Sequence, residues 1–286
     1  MKTLLVATDF SANARHAAEY GYRLATQLKA NLVLCNAFTV PAEVPESGMV
    51  AWPMMEYEEM LKDSEGELRA LRTSLERENN DTGFRPSIQC ENEVGTMPAV
   101  VNDIVANQNI QMVVMATHGN NGLSQFLAGN HSRRMIDEAI CPLLLVPESS
   151  QIKPIKKIAF ATDFLHHEKD LGTIYKLINL IRPLNAELLI THIHDEKEHG
   201  SEFKQWLVQF LVDLSNKADY PNIYYRLIKN DSAERGLEWL CEHGHIDMLV
   251  MIHRGHNILA KIFTGSHTQK MAGHSAIPLL VIPEQQ

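Results

Sequence analysis

The chain has 286 residues, a formal net charge of −9, and a composition that is 45% hydrophobic and 21% charged. That length accommodates two domains, each large enough to bury its own core, and the apolar content is that of a soluble globular protein. The acidic balance argues against bulk nucleic-acid binding, which depends on basic surface. No run of about 18 apolar residues offers a membrane span.

The opening Met1-Lys2-Thr3-Leu4-Leu5-Val6-Ala7 is too short, and too soon followed by Asp9, to read as a signal peptide; a cytoplasmic protein is expected. Thr3–Ala7 instead reads as a first strand, running into Ala7-Thr8-Asp9-Phe10. Ala17, Tyr20, Leu24 and Leu28 then fall at helical spacing. Further strands are expected at Asn31–Asn36, Ser87–Glu91, Met112–Ala116 and Leu143–Val146. Met112-Val113-Val114-Met115 is apolar at every position, as for a strand covered on both faces. After the second strand comes an insertion, about 41–60, that carries three prolines with Trp52, Met54 and Met55, followed by an acidic helix from about Glu56. It is read as a loop covering a hydrophobic edge or the partner domain, or as a lid over a ligand.

A polar linker, Glu148 to about Pro154, separates this half from a second that follows the same plan. Its strands are expected at Lys157–Ala161, Glu187–His192, Ile223–Leu227, Met248–Ile252 and Leu279–Ile282, with Leu171, Ile174, Ile178 and Ile181 at helical spacing. The alternation of strand and helix in each half predicts a parallel sheet built from βαβ units. The halves also repeat in letters. Ala7-Thr8-Asp9-Phe10 recurs as Ala161-Thr162-Asp163-Phe164, offset by 154 residues. Cys141-Pro142-Leu143-Leu144-Leu145-Val146-Pro147-Glu148 recurs as Ile277-Pro278-Leu279-Leu280-Val281-Ile282-Pro283-Glu284, offset by 136, so the first half carries 18 more residues. Self-similarity this long predicts two homologous domains, 1–148 and 155–286.

The chemistry is expected after the fourth strand of each half. Ala116-Thr117-His118-Gly119 is followed nine residues later by Gly129-Asn130-His131-Ser132. Ile252-His253-Arg254-Gly255 is followed nine residues later by Gly265-Ser266-His267-Thr268. A strand ending in a glycine turn, with a second glycine before a helix, suits an anion: glycine lets backbone approach phosphate, and the first free N–H groups of the helix point at the charge. A plain turn and N-cap would look the same.

These residues carry a resemblance. The T-D-F strand end, the H-G turn in the first half and the P-L-L-x-V-P closing run resemble the universal stress protein family in its tandem two-domain form. The resemblance implies two Rossmann-like, adenine nucleotide alpha hydrolase-like α/β domains, each a five-stranded parallel sheet flanked by helices. It also implies ATP or AMP as ligand in members that carry G-x-x-G-x9-G-[ST], with Mg accompanying ATP. By position Asp9 and Asp163 match the aspartate beside the nucleoside, although each also reads as a turn carboxylate accepting backbone N–H groups. Gly119, Gly129, Gly255 and Gly265 match the second and third glycines, Ser266 keeps the hydroxyl that Asn130 replaces, and His131, Ser132 and His267 follow. The first glycine is absent, being Ala116 in one half and Ile252 in the other. A β-branched residue at Ile252 would crowd a nucleotide if it faced the site, so the first half is the better candidate.

The function expected is stress-response regulation or sensing with adenine-nucleotide binding in at least one domain. The alternatives are a degenerate scaffold acting through protein contacts, with an unknown protein partner, and a slow ATPase. No G-x-S-x-G elbow or catalytic cysteine neighbourhood is present. Cys35, Cys90, Cys141 and Cys241 read as reduced core thiols, and His192, His194 and His199 as solvated surface, with zinc as the competing reading. The two copies are expected to pack through their closing strands as an intramolecular pseudo-dimer, with further homodimerisation left open.

Overall fold

The computed structural model describes residues 2–39, 54–78, 83–117, 130–194, 201–254 and 277–284, with the backbone alone at 54–56, 78, 130–131 and 201–204. The first half runs β1 (Thr3–Ala7), α1 (Ala12–Leu28), β2 (Asn31–Phe38), α2 (Met54–Glu78), β3 (Ile88–Val94), α3 (Met97–Asn107), β4 (Ile110–Ala116), α4 (Asn130–Glu138) and β5 (Leu143–Val146). The second runs β6 (Lys157–Ala161), α5 (His167–Ile181), β7 (Glu187–His194), α6 (Ser201–Ala218), β8 (Ile223–Lys229), α7 (Ala233–His243), β9 (Met248–His253) and β10 (Leu279–Pro283), with a 3₁₀ turn, Arg182–Leu184, after α5. All ten expected strands form, several one or two residues longer than their apolar runs. The helix after the insertion begins at Met54 rather than near Glu56. Residues 41–53, which carry Trp52, lie outside the described residues.

The strands lie in the order β3-β2-β1-β4-β5 in one half and β8-β7-β6-β9-β10 in the other, joined in a ten-stranded sheet. Pairing is parallel within each half. The exception is the seam, where β5 and β10 run antiparallel with Leu143 opposite Val281, Leu144 opposite Leu280 and Leu145 opposite Leu279. Each of these strands would otherwise present an apolar edge of unpaired N–H and C=O groups, and pairing removes both edges.

Alternation along the strands sorts the core into two layers. Leu4 and Val6 of β1 face the layer shared with α1, α2, α5 and α6, whereas Leu5 and Ala7 face α3, α4 and α7. Ala17, Tyr20, Leu24 and Leu28 are buried, as are Ile174, Ile178 and Ile181, so the two helical stripes are core. Cys35 and Cys141 are buried thiols, and burial pushes both up to about 12. Cys90 departs from the core reading: it is exposed on β3, an outer edge of the sheet. Among the described residues, no helix is long and apolar enough to cross a membrane.

The linker is anchored at both ends. Ser150 is buried, and its hydroxyl lies 3.1 Å from His16 Nε2 on α1. Ile155 is buried, and its N–H donates to Gln27 Oε1 at 3.2 Å on the same helix.

Candidate functional site

In an α/β sheet of this order the connections that leave the two strands at the reversal, β1 and β4 or β6 and β9, depart to opposite faces of the sheet and leave a crevice at the carboxyl ends. In the first half β1 leads into Thr8, which is buried and extends the ladder by donating to Cys35 O at 2.9 Å. Phe10 then adopts a left-handed conformation (φ 63°), unusual without glycine. Two side chains hold that turn. Thr8 Oγ1 accepts from Phe10 N at 3.0 Å, and Asp9 Oδ1 accepts from Ser11 N at 3.0 Å. Ser11 in turn caps α1, its hydroxyl accepting from Ala14 N at 3.2 Å. Asp9 is thus exposed at the mouth of the crevice with its orientation fixed by the backbone.

Beneath the turn is a polar chain. Asn36 Nδ2 donates to Thr8 O at 2.7 Å, and Ser64 Oγ lies 2.9 Å from Asn36 Oδ1 and 2.8 Å from Asn92 Oδ1. One hydroxyl hydrogen serves two acceptors, so Ser64 donates to one at a time. On the β4 side Ala116 and Thr117 are buried, and Asn13 Nδ2 reaches Thr117 O at 3.5 Å, tying α1 across the crevice. Ser132, in the first turn of α4, is buried, and its hydroxyl has no hydrogen-bond partner among the described residues.

The second half repeats the turn. Thr162 Oγ1 accepts from Phe164 N and Asp163 Oδ1 from Leu165 N, both at 3.0 Å, with Phe164 at φ 57°. His192 stands where Asn36 stands: its Nδ1 lies 2.8 Å from Thr162 O, and a carbonyl can only accept, so this nitrogen carries the hydrogen. Phe164 is buried against His192, Trp206 and Phe210, with ring centroids 5.4, 5.3 and 5.4 Å away.

The halves part company at Arg254. This residue follows β9, and its side chain is only 9% exposed. Its Nη1 donates to Asp163 Oδ1 at 2.9 Å, and its Nη2 donates to Asp170 Oδ1 on α5. Asp170 is fully buried, and its second oxygen accepts from Thr162 Oγ1 at 2.7 Å. Glu284, after β10, adds a third carboxylate at 3.5 Å from Arg254 Nε. A guanidinium therefore lies across the crevice between β6 and β9 and pairs with Asp163 at its mouth. In the first half the corresponding positions are His118, outside the described residues, and His16, which is engaged with Ser150.

Of the residues singled out by sequence, Asp9 lies just after β1 and Ala116 ends the neighbouring β4, where it is buried in the apolar layer, and Asp163 lies just after β6. Gly119, Gly129, Gly255, Gly265, Ser266 and His267 lie outside the described residues, as do the side chains of Asn130 and His131. Ile252 is buried in the same apolar layer as Phe160 and Ile174, so its side chain is core. The rings of His192 and His194 stack with centroids 6.3 Å apart, and His199 lies outside the described residues. No group of three or more His, Cys, Asp or Glu side chains suited to a metal occurs among the described residues. Sequence reading missed Arg254 and Asp170. The signal available was the change from Thr117-His118-Gly119 to His253-Arg254-Gly255 together with an aspartate where the first half has His16.

The universal stress protein family matches residues 1–147 and, a second time, residues 154–283. The chain belongs to this family. Among solved structures it is similar over its whole length to a universal stress protein from Archaeoglobus fulgidus DSM 4304, with 15% identity, a TM-score of 0.61, and coverage of 99% of this chain and 97% of that one. It is also similar to a functionally unknown protein from Pseudomonas aeruginosa PAO1, with 13% identity, a TM-score of 0.58, and coverage of 99% and 92%. At these identities the likeness speaks for the fold. No curated protein gives a significant match.

Proposed function

We propose that this universal stress protein is a cytoplasmic regulatory module, divided into domains 1–148 and 155–286, that takes an adenine nucleotide in the first domain only. The observation that carries the reading is the contrast at the two crevices. Asp9 and Asp163 are held by matching turns, but Asp163 is also bound by Arg254 in a network that neutralises buried Asp170, whereas the first half has a histidine, His118, at the position of Arg254. The residues of the first crevice suit a nucleoside and phosphates: a carboxylate acceptor at Asp9 for sugar hydroxyls, and α4 beginning at Asn130 to offer N–H groups. Mg would accompany ATP as counter-ion to the phosphates. Those of the second crevice do not suit it, because an incoming nucleoside would have to displace a guanidinium from two aspartates.

The same contrast supports a second reading for the trailing domain alone, that of a scaffold that has given up its ligand for an internal ion pair. Isothermal titration with ATP and with AMP tests both. One site per chain is expected, abolished by Gly129→Asp through charge repulsion and unchanged by Arg254→Met. Two sites would remove the asymmetry, and absence of heat in the wild type would extend the scaffold reading to the whole chain. A phosphate-release assay run alongside separates binding from slow hydrolysis, for which no residue among those described is placed to orient water.

A further inference from the structure

The antiparallel seam relates the halves by an approximate two-fold, and such a relation creates two equivalent grooves, one on each side of the β5–β10 pair. Only one linker joins the halves. It crosses the groove beside α1, sealed by buried Ser150 and Ile155, and is pinned where Asp247 Oδ2 accepts from Lys156 N and Lys157 N at 2.8 and 2.9 Å. The other groove, beside α5, is crossed by no linker and encloses a volume of about 550 Å³.

Residue choices along the two helices follow this division. Adding the 154-residue offset, Ala18 and Tyr22 of α1 correspond to Gly172 and Lys176 of α5. Ala18 and Tyr22 are buried, filling their side. Gly172 faces open space, a methyl group built there meeting nothing within 4 Å, and Lys176 lines the cavity. Glycine inside a helix weakens it, so the space is kept at a cost to α5.

The lining has two characters. Its apolar part includes Ile110, Leu177, Leu180 and Ile282, together with Ile140, a residue that is 54% exposed. Its charged part is Lys2, Lys169 and Lys176 against Glu284, an excess of two positive charges on a chain whose net charge is −9. Lys2 donates to Asn179 O at 2.8 Å, which uses one of three ammonium hydrogens, and partial burial holds its pKa below the usual lysine value. Lys169 lies 3.4 Å from Glu284 Oε1, the carboxylate that also faces Arg254.

We infer that the groove beside α5 is a binding site for a small amphipathic anion, with a carboxylate or phosphate head met by Lys2 and Lys176 and an apolar body laid on Ile140, Ile110 and Leu180. The cavity falls within the size range of small-molecule sites, and an apolar floor with a few convergent polar groups is their usual lining. The site is separate from the nucleotide reading and does not depend on it, since it opens at the amino ends of β1, β4 and β5, the opposite end of those strands from Asp9.

The test is equilibrium binding of decanoate to the full chain, followed by displacement of anilinonaphthalene sulfonate fluorescence, with decanol and inorganic phosphate as the body-only and head-only probes. One decanoate per chain is expected, with decanol and phosphate each about tenfold weaker, the equivalent of one lost charge-assisted or apolar contribution. Gly172→Phe should abolish binding by filling the cavity, Gly172→Ala should preserve it, and Lys176→Glu should weaken decanoate about tenfold while leaving decanol unchanged. If decanoate does not bind, if Gly172→Phe binds like the wild type in a folded protein, or if Lys176→Glu has no effect, the inference is overturned. Should Gly172→Phe fail to fold, the exposed Lys176→Glu change still decides it. Phosphate binding as tightly as decanoate would also overturn it, leaving a plain anion site.

Discussion

The first and second crevices share a backbone and differ in what fills them. Both turns are held by a threonine hydroxyl and an aspartate carboxylate, each accepting from the backbone two residues on. Both are supported from the neighbouring strand by a side-chain donor, Asn36 in one and His192 in the other. Above this common base both aspartates are exposed, but the second half pairs Asp163 with Arg254 and packs Phe164 among aromatic rings. The duplicated turn is the same in both halves, and the side chains at its mouth are not. The turn is part of the fold's connectivity, whereas the groups at its mouth are single side chains that one substitution can redirect.

The largest effect expected is at the point of divergence. Arg254→Ala leaves Asp170, fully buried, with its charge unpaired, and should cost about 3–5 kcal/mol in urea unfolding. Replacing the pair together, Arg254→Met with Asp170→Leu, should restore most of that loss, since a well-packed apolar pair of similar volume costs little relative to a buried ion pair. In the first half the residue at the position of Asp170 is His16, whose Nε2 lies 3.1 Å from Ser150 Oγ. His16→Ala should cost about 1 kcal/mol. Equal losses in the two halves would mean that Arg254 is a surface charge of no structural weight, and the asymmetry would collapse.

Next in size is the seam, where the halves are expected to behave alike. Leu144 and Leu280 are both fully buried and face each other across β5 and β10. Either one changed to Ala should lower stability by about 2–5 kcal/mol. The double change should cost less than the sum, because the two cavities merge. An additive result would indicate that the halves unfold independently and that the seam contributes little.

Ten strands, two helical stripes and the two-fold repeat were legible in the letters because each depends on local periodicity and on a motif written twice. The same holds for Asp9 and Asp163, whose turn chemistry is confined to four residues. Arg254 and its network were not legible. The contacts run over 91 residues to Asp163 and 84 to Asp170, and an aspartate in the first turn of a helix reads as a favourable dipole partner rather than as a buried acceptor. Ile252 was open to misreading for the converse reason. Its residue type suggested intrusion into the crevice, but strand alternation turns it into the apolar layer. The groove beside α5 has no signal in either half alone, since it exists only once the halves are joined.

A smaller contrast lies in the polar supports beneath the turns. Asn36→Ala removes a donor to Thr8 O and an acceptor facing Ser64, both buried, and should cost about 1–3 kcal/mol. His192→Ala removes one hydrogen bond and a ring packed on Phe164, and should cost about the same. His192→Asn tests whether the positions are interchangeable. It should recover the hydrogen bond to Thr162 O but lose the aromatic contact, so partial recovery on urea unfolding is the outcome expected. Full recovery would mean that the ring contributes nothing beyond its donor.

The smallest effect concerns the helices that follow the turns. Ser11 caps α1 through Ala14 N, so Ser11→Ala should cost about 1 kcal/mol. At the start of α5 the cap position is His166, which makes no side-chain hydrogen bond to the helix. His166→Ser supplies the missing acceptor, yet the backbone there (φ −126°, ψ 61°) is not the extended conformation in which a serine hydroxyl reaches the third N–H of the helix. The gain should therefore be no more than about 0.5 kcal/mol, roughly half of what the same residue contributes in the first half. A full 1 kcal/mol gain, read as a rise in the urea midpoint at constant slope, would show that the second turn relaxes into the geometry of the first. The difference between the crevices would then lie in their side chains alone.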